Sequence, residues 1–254
     1  MNTKVIGVDE VGRGCIAGPI VCASFSMDAH LIYLIHKLAK QEYLNTSNNR
    51  SKKLYKRLTK ITYYDIIQIG LLGKKPSLKI KNLDLKTLSL VFDSKKITEN
   101  NRKKIANYLI NIGIWGIGVV SNSIIDLKGI QYANKLAMLK SIYKHFNAGE
   151  FSKNTNYHLF TDHLDPRGID YKINNNFNLV TKDKMDSKSF VTACASIIAK
   201  VYRDYLMEEY SKIYNNFSFS KHVGYGTKTH FEELKKYGKC KIHRTSFLKN
   251  YSDF

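Results

Sequence analysis

An apolar run from Lys4 to Val8 stops at Asp9-Glu10, and Gly12-Arg13-Gly14 makes a turn. Ile16 to Phe25 then reads as a second buried strand, so the chain opens with a hairpin-like unit. From Asp28 to Arg57 the period becomes helical, and two helical patterns flank Asn45-Thr46-Ser47-Asn48-Asn49. Tyr63 to Leu72 reads as a strand and Gly73 to Asp84 as a basic loop. Apolar Leu88 to Phe92 ends at Asp93-Ser94-Lys95-Lys96, and Thr98 is placed to cap the next helix. Ile114 to Ser121 reads as a strand, Ile125 to Phe146 as an amphipathic helix and Gly149 to Asn156 as a polar loop. Tyr157 to Thr161 is a strand ending at Asp162; Asn178 to Thr181 is another, leading to Asp183 and Asp186. Phe190 to Tyr214 is a long helix, and the basic, aromatic tail from Asn215 holds a helix over Thr229 to Tyr237. Strands first and strand–helix alternation afterwards predict an α/β fold with a mixed sheet.

The chain has 254 residues, room for one large domain or a domain with a small appendage. It carries 41 Lys and Arg against 21 Asp and Glu, a formal net charge of +20. Such an excess points to a polyanionic partner, nucleic acid ahead of an anionic membrane. A coding bias toward Lys, Asn and Ile would also raise the basicity. No apolar run approaches the roughly 20 residues that span a bilayer. The N-terminus shows no basic segment followed by an apolar one, so no secretory signal is expected. Cys15 and Cys22 fall in an apolar strand pattern, Cys194 in an apolar helix pattern, and none of these or Cys240 has zinc-like spacing. Buried free thiols in a reducing, cytoplasmic setting are expected.

Four carboxylates occupy one kind of position. Asp9 and Glu10 end the first strand, Asp162 ends another, and Asp186 lies past a third and before the long helix. Oxygen ligands at neighbouring strand ends suit hard divalent cations. A pair of such ions can stabilise both the attacking water and the leaving oxygen of a phosphodiester, and their charge lets acids face a phosphate backbone. A lone Asp at a strand end is usually a turn or cap residue, and Asp126, Asp165, Asp170, Asp183 and Asp204 are also available. Spacing alone does not choose among them. The glycines of Gly12-Arg13-Gly14 let backbone approach a ligand closely. Asp93-Ser94-Lys95-Lys96 offers a hydroxyl and two ammonium groups to a phosphate. Tyr225, between Gly224 and Gly226, could stack on a sugar or base.

Together these segments resemble the ribonuclease HII family. Val8-Asp9-Glu10-Val11-Gly12-Arg13-Gly14, with Gly18-Pro19 following, is similar to the family's N-terminal signature, and Asp93-Ser94-Lys95-Lys96 to its D-S-K-K element. Lys184-Met185-Asp186 followed by the stretch Ala193 to Asp204 resembles K-G-D and S-A-A-S-I-x-A-K-V-x-R-D. Gly224-Tyr225-Gly226-Thr227 resembles G-Y-P-T, and His243-Arg244-Thr245-Ser246-Phe247 resembles H-R-R-S-F. The resemblance implies a ribonuclease H-like α/β fold, a mixed central sheet flanked by helices with a small C-terminal helical extension. Residues 1–214 would form the catalytic domain and 215–254 the extension. It implies that Asp9, Glu10, Asp162 and Asp186 hold Mg²⁺ or Mn²⁺, with Asp165 the alternative third acid. Gly12, Arg13, Gly14 and Tyr225 would sense the 2′-hydroxyl and sugar, and Ser94 and Lys95 would hold phosphate. The implied substrates are RNA–DNA hybrids and duplex DNA with embedded ribonucleotides, cut 5′ of the ribonucleotide to leave 3′-hydroxyl and 5′-phosphate ends. No membrane partner is implied, and a monomer is expected.

The sequence departs from the family's pattern in three places. A stretch of about fifty residues within roughly 28–86 reads as an insertion that either extends the duplex-binding surface or decorates the fold. Gly226 stands where the family has Pro, and Ala193-Cys194 where it has Ser-Ala. A non-catalytic binding module would not need the acids. A resolvase or transposase on the same fold would not need the Gly-Arg-Gly and Tyr225 elements.

Overall fold

The computed structural model describes residues 2–68, 83–92, 94, 97–148, 154–162 and 177–249. A five-stranded sheet of order β3-β2-β1-β4-β5 is built from β1 (Asn2–Val11), β2 (Ile20–Asp28), β3 (Ile114–Val120), β4 (Thr155–Thr161) and β5 (Phe177–Thr181). The first three strands are antiparallel, whereas β4 runs parallel to both β1 and β5. The sheet is therefore mixed, as expected. Nine helices accompany it among the described residues: α1 (Ala29–Asn45), α2 (Asn49–Gln68), α3 (Leu85–Leu88), α4 (Glu99–Ile112), α5 (Asn122–Lys128), α6 (Ile130–Ala148), α7 (Phe190–Ile213), α8 (Phe219–His222) and α9 (Lys228–Tyr237). None is long and apolar enough to cross a membrane.

Strand alternation sorts β1 into two faces. Val5 and Val11 belong to a large core shared with α7, α1 and α2, while Ile6 and Val8 join a second core under α6. On the α7 face a Cβ at Gly7 would collide with the backbone of Val191 and Thr192, so only glycine lets the helix lie this close. A third core joins Ile16 and Ala17 to Met207 and to Phe217, Phe219, Leu234, Ile242 and Leu248 of the C-terminal segment.

Several expected elements take a different form. Residues 63–68 are helix, not strand: Leu58, Ile61, Thr62, Asp65 and Ile66 are buried at helical spacing, and that burial overrides the strand preference of the adjacent Tyr and Ile residues. The rest of the expected 63–72 strand lies outside the described residues. The expected helix Ile125–Phe146 is two helices, broken at Gly129, whose φ of 81° ends α5. The second strand begins at Ile20, because Gly18 has a φ of 85° and Pro19 has no N–H to donate. Cys15 accordingly sits buried in the β1–β2 loop, and all four thiols are free. Thr98 occupies the N-cap of α4 without a side-chain cap bond.

The α1–α2 hairpin, expected as an insertion, packs as part of the body. Its buried Asp65 accepts from the N–H groups of Phe190 (3.0 Å) and Val191 (3.3 Å), capping α7 from a distant element. Burial pushes the Asp65 carboxyl up to about 8. Burial also pushes His145, His230 and His243 down to about 4. Nε2 of His230 and of His243 lie 3.0 Å apart, which one donor and one acceptor tautomer satisfy with both rings neutral.

These shifts set opposite pH limits. An unfolded histidine protonates near 6.5, before the buried ones, so stability is lost as pH falls from about 6.5 towards 4. An unfolded Asp ionises near 3.9 while Asp65 holds its proton, so stability is also lost as pH rises from about 4 to 8. Asp65→Asn keeps an acceptor oxygen and cannot ionise. Denaturant melts across pH 4–8 are expected to show a shallower decline on the alkaline side for this variant and an unchanged acid limb.

Candidate functional site

The parallel register of β1 and β4 ends with Val8 beside Thr161, so the next residues along the two strands are Asp9 and Asp162. Phe160 lies opposite Gly7 and packs in the α7-side core, and alternation puts Asp162 on that same face. Asp186 arrives from a different element, a single 3₁₀ turn (Met185–Ser187) between β5 and α7. Lys184 leads into it with a left-handed φ of 54°, an uncommon conformation for a residue with a side chain. The Lys184 N–H donates to Asp162 Oδ2 at 3.2 Å, tying the Asp186 turn to the end of β4.

Asp9 is only 8 % exposed. Burial raises its carboxyl well above the usual range, and the neighbouring charges of Glu10 and Asp186 raise it further, against a hydrogen bond from Ser196. Ser196 comes from α7 and also lies 3.0 Å from the Ser94 hydroxyl, so the segment after Phe92 reaches the acids through two serines. Asp9, Asp162 and Asp186 thus share one side of the sheet. Glu10 takes the other face, with its cross-strand partner Cys22 in the α6-side core; its carboxylate stands 4.0 Å from Arg13. Among the described residues no three His, Cys, Asp or Glu side chains already stand at metal-ligating spacing. Glu10 and Asp186 both disfavour a charge on Asp9, and oxygen donors so placed are a hard set that a divalent cation would relieve.

The competing acids have other tasks. Asp204 pairs with Arg102 at 3.0 Å and Lys200 at 2.6 Å. Asp126 accepts from the backbone N–H groups of Thr245 (3.0 Å) and Ser246 (2.8 Å). Asp165 and Asp170 lie outside the described residues, as does Lys95.

The Gly-Arg-Gly turn is held by Arg244, and the residues that follow it by Arg203, two arginines with no exposed surface. Arg244 donates to the carbonyls of Gly12 (2.7 Å), Arg13 (2.9 Å) and Gly18 (3.0 Å). Arg203 donates to those of Pro19 (3.0 Å), Ala17 (3.1 Å) and Val223 (2.7 Å). A trans peptide points its N–H opposite its C=O. With the Gly12 and Arg13 carbonyls turned to Arg244, the N–H groups of Arg13 and Gly14 face away from it. Gly12, at φ 89°, leaves room for Arg203, whereas a Cβ at Gly14 would meet nothing. Both arginines lie in segments that resemble family motifs, yet no role is expected of them from the sequence alone; a charged residue inside an otherwise apolar or turn segment is the signal that marks them.

Tyr225 is half-buried, 5.9 Å from Lys200 Nζ and 6.0 Å from the Arg203 guanidinium. Gly226 in place of proline does not leave this turn unheld. The Tyr225 carbonyl lies 2.8 Å from His230 Nδ1, and its N–H donates to the His222 carbonyl at 2.9 Å.

Comparison with known proteins extends these observations. The family model described as Ribonuclease HII matches residues 6–90 and 78–250. The ribonuclease HII of Clostridium acetobutylicum is 33% identical over 250 residues, covering 98% of this chain and 74% of that protein. That of Pediococcus pentosaceus is 32% identical over 249 residues, covering 96% and 69%. Among solved structures, the ribonuclease H2 of Pyrococcus horikoshii matches with a TM-score of 0.55 at 20% identity, over 98% of this chain and 94% of that one. The RNase HII in a PCNA complex from Archaeoglobus fulgidus gives 0.56 at 20% identity, over 98% and 95%. A Bst-RNase HIII solved with Mn²⁺ gives 0.56 at 15% identity, over 99% and 68%. The structural likenesses establish the ribonuclease H-like fold. The sequence matches, running through the strand ends and turns that gather the acids, establish that the chain belongs to the ribonuclease HII family, metal-dependent endonucleases that cleave the RNA of RNA–DNA hybrids.

Proposed function

We propose that this chain hydrolyses the RNA strand of RNA–DNA hybrids and cuts 5′ of ribonucleotides embedded in duplex DNA, leaving 3′-hydroxyl and 5′-phosphate ends. The observation that carries the reading is Asp9, buried and raised by the charges of Glu10 and Asp186 while Asp162 is its neighbour in register. Asp9, Glu10, Asp162 and Asp186 would hold two Mg²⁺ or Mn²⁺ ions. Bound there, the cations would stabilise charge on the attacking water and on the leaving 3′-oxygen. The chain's own residues do the rest. Ser196 orients Asp9, and the Lys184 N–H orients Asp162. The Arg13 and Gly14 N–H groups, turned outward by Arg244, are donors for a ribose 2′-hydroxyl, the group that distinguishes RNA from DNA. Tyr225 offers a ring to the sugar beside it. Ser94, fixed by Ser196, and Lys95 would take the flanking phosphate. Residues 1–214 act as the catalytic domain, and 215–254 as an extension that clamps the turn through Arg244.

Cleavage is expected for a duplex with one ribonucleotide and for a full hybrid, and not for all-DNA duplex or single-stranded RNA; gel assays that find equal cutting of all four would sink the specificity. Chelation should stop turnover, and added Mg²⁺ or Mn²⁺ should restore it. Asp186→Asn should lower kcat by roughly a thousandfold or more while duplex affinity stays within about threefold, since only a charge at the reacting centre is lost. Arg244→Ala should cost roughly 3 kcal/mol of stability, because three buried carbonyls lose their donors. Arg244→Lys keeps the charge without the fork; it should fold, and its preference for ribonucleotide-containing over all-DNA duplex should fall at least tenfold in competition assays.

A further inference from the structure

The exposed side of α2 is the most one-signed surface in the described residues outside the site. The helix carries Arg50, Lys52, Lys53, Lys56, Arg57 and Lys60, and its one acid, Asp65, is buried. Lys52–Lys56, Lys53–Arg57 and Lys56–Lys60 are like-charge pairs four residues apart, an arrangement that weakens a helix by a few tenths of a kcal/mol per pair. A helix present only to cover the core would interleave acids there.

The stripe is also fixed beside the acids. Lys53, Arg57, Lys60 and Tyr64 follow one another at spacings of four and three residues on one face. The Arg57 guanidinium lies 4.4 Å over the ring of Phe92, two residues before Ser94, whose hydroxyl meets Ser196 beside Asp9. Tyr64 packs edge-on against Phe160 with centroids 6.3 Å apart, and Lys182 Nζ lies 5.7 Å over the Tyr64 ring. Phe160 stands two residues before Asp162. Asp65 bolts the same helix to the start of α7. The α2 face therefore cannot swing relative to the cleft while these contacts hold.

We infer that the basic face of α2 is an extension of the substrate-binding surface, gripping the phosphate backbone of the duplex beyond the cleavage point. Lys53 to Tyr64 spans about 16 Å of helix, the length of roughly five phosphates along one strand. The contact is sequence-independent, made by ammonium groups to phosphate oxygens. The inference rests on the hybrid-cleavage reading for the identity of the duplex, but its test does not require turnover.

Lys53→Glu/Lys56→Glu/Lys60→Glu would be compared with the unsubstituted chain by fluorescence anisotropy in EDTA, on hybrids of about 8 and about 24 base pairs at several salt concentrations. The long hybrid should bind the variant at least tenfold more weakly, and its log Kd against log salt slope should fall by about two to three. The short hybrid should change less than threefold. The same loss at both lengths, or none at either, overturns the inference. So does unchanged duplex affinity with loss of binding to anionic phospholipid vesicles, which would assign the face to a membrane. The milder Lys→Gln triple, checked for an unshifted melt, should give the same ordering with a smaller loss. If the unsubstituted chain binds with this length dependence but does not cut hybrid, the functional reading fails and the surface stands.

Discussion

Everything at the site depends on how closely the backbone of α7 lies on β1. Gly7 permits that approach, because any side chain there would strike Val191 and Thr192. Once the helix is seated, consequences follow along its length. Its N-terminal side brings the Asp186 turn to the strand ends, its middle delivers Ser196 to Asp9, and further on Arg203 reaches the carbonyls after the Gly-Arg-Gly turn. A rigid strand–helix contact of this kind holds groups from four chain segments in place. The cap from Asp65 adds a fifth segment, so the α1–α2 hairpin is coupled to the same helix.

Much of this was legible in the sequence for a physical reason. Buried strands announce themselves as apolar runs, and acids that end such runs are out of keeping with the core, so Asp9, Glu10 and Asp162 stood out. What alternation adds is that Glu10 leaves β1 on the face opposite Asp9, which apolar counting alone did not draw out. Asp186 is separable from Asp183 in the sequence only by resemblance, because nothing in spacing says which acid of a short turn faces the sheet; in the structure the charge of Asp186 acts on Asp9. The roles of Arg203 and Arg244 were hidden because their partners are backbone carbonyls up to 232 residues away, and carbonyls leave no mark in a sequence. The expected strand at 63–72 failed for the complementary reason. Aromatic and β-branched side chains favour strands locally, yet Leu58, Ile61 and Asp65 had a helix-shaped surface to bury against.

The charge distribution resolves an apparent conflict in a chain of net charge +20 that gathers its acids where, on the proposed reading, a phosphodiester would lie. The cations lie outside the acid cluster: Arg13 on the Gly-rich turn, Lys200 below Tyr225, Lys182 beyond β5, and the row on α2. A polyanion is attracted by the surround and would be repelled at the centre, where Asp9 already resists ionisation because of burial and its neighbours. Divalent cations at the centre would reverse that repulsion, so that ion and substrate would favour each other's binding. Long-range attraction and local discrimination are thereby separated. On the proposed reading, lysines would set encounter and affinity through phosphate, while the fixed N–H groups of the Gly-Arg-Gly turn would carry the distinction between ribose and deoxyribose. Holding those donors with the buried Arg244 fork makes the element proposed to discriminate the least adjustable part of the surface, and the flexible lysines around it the most.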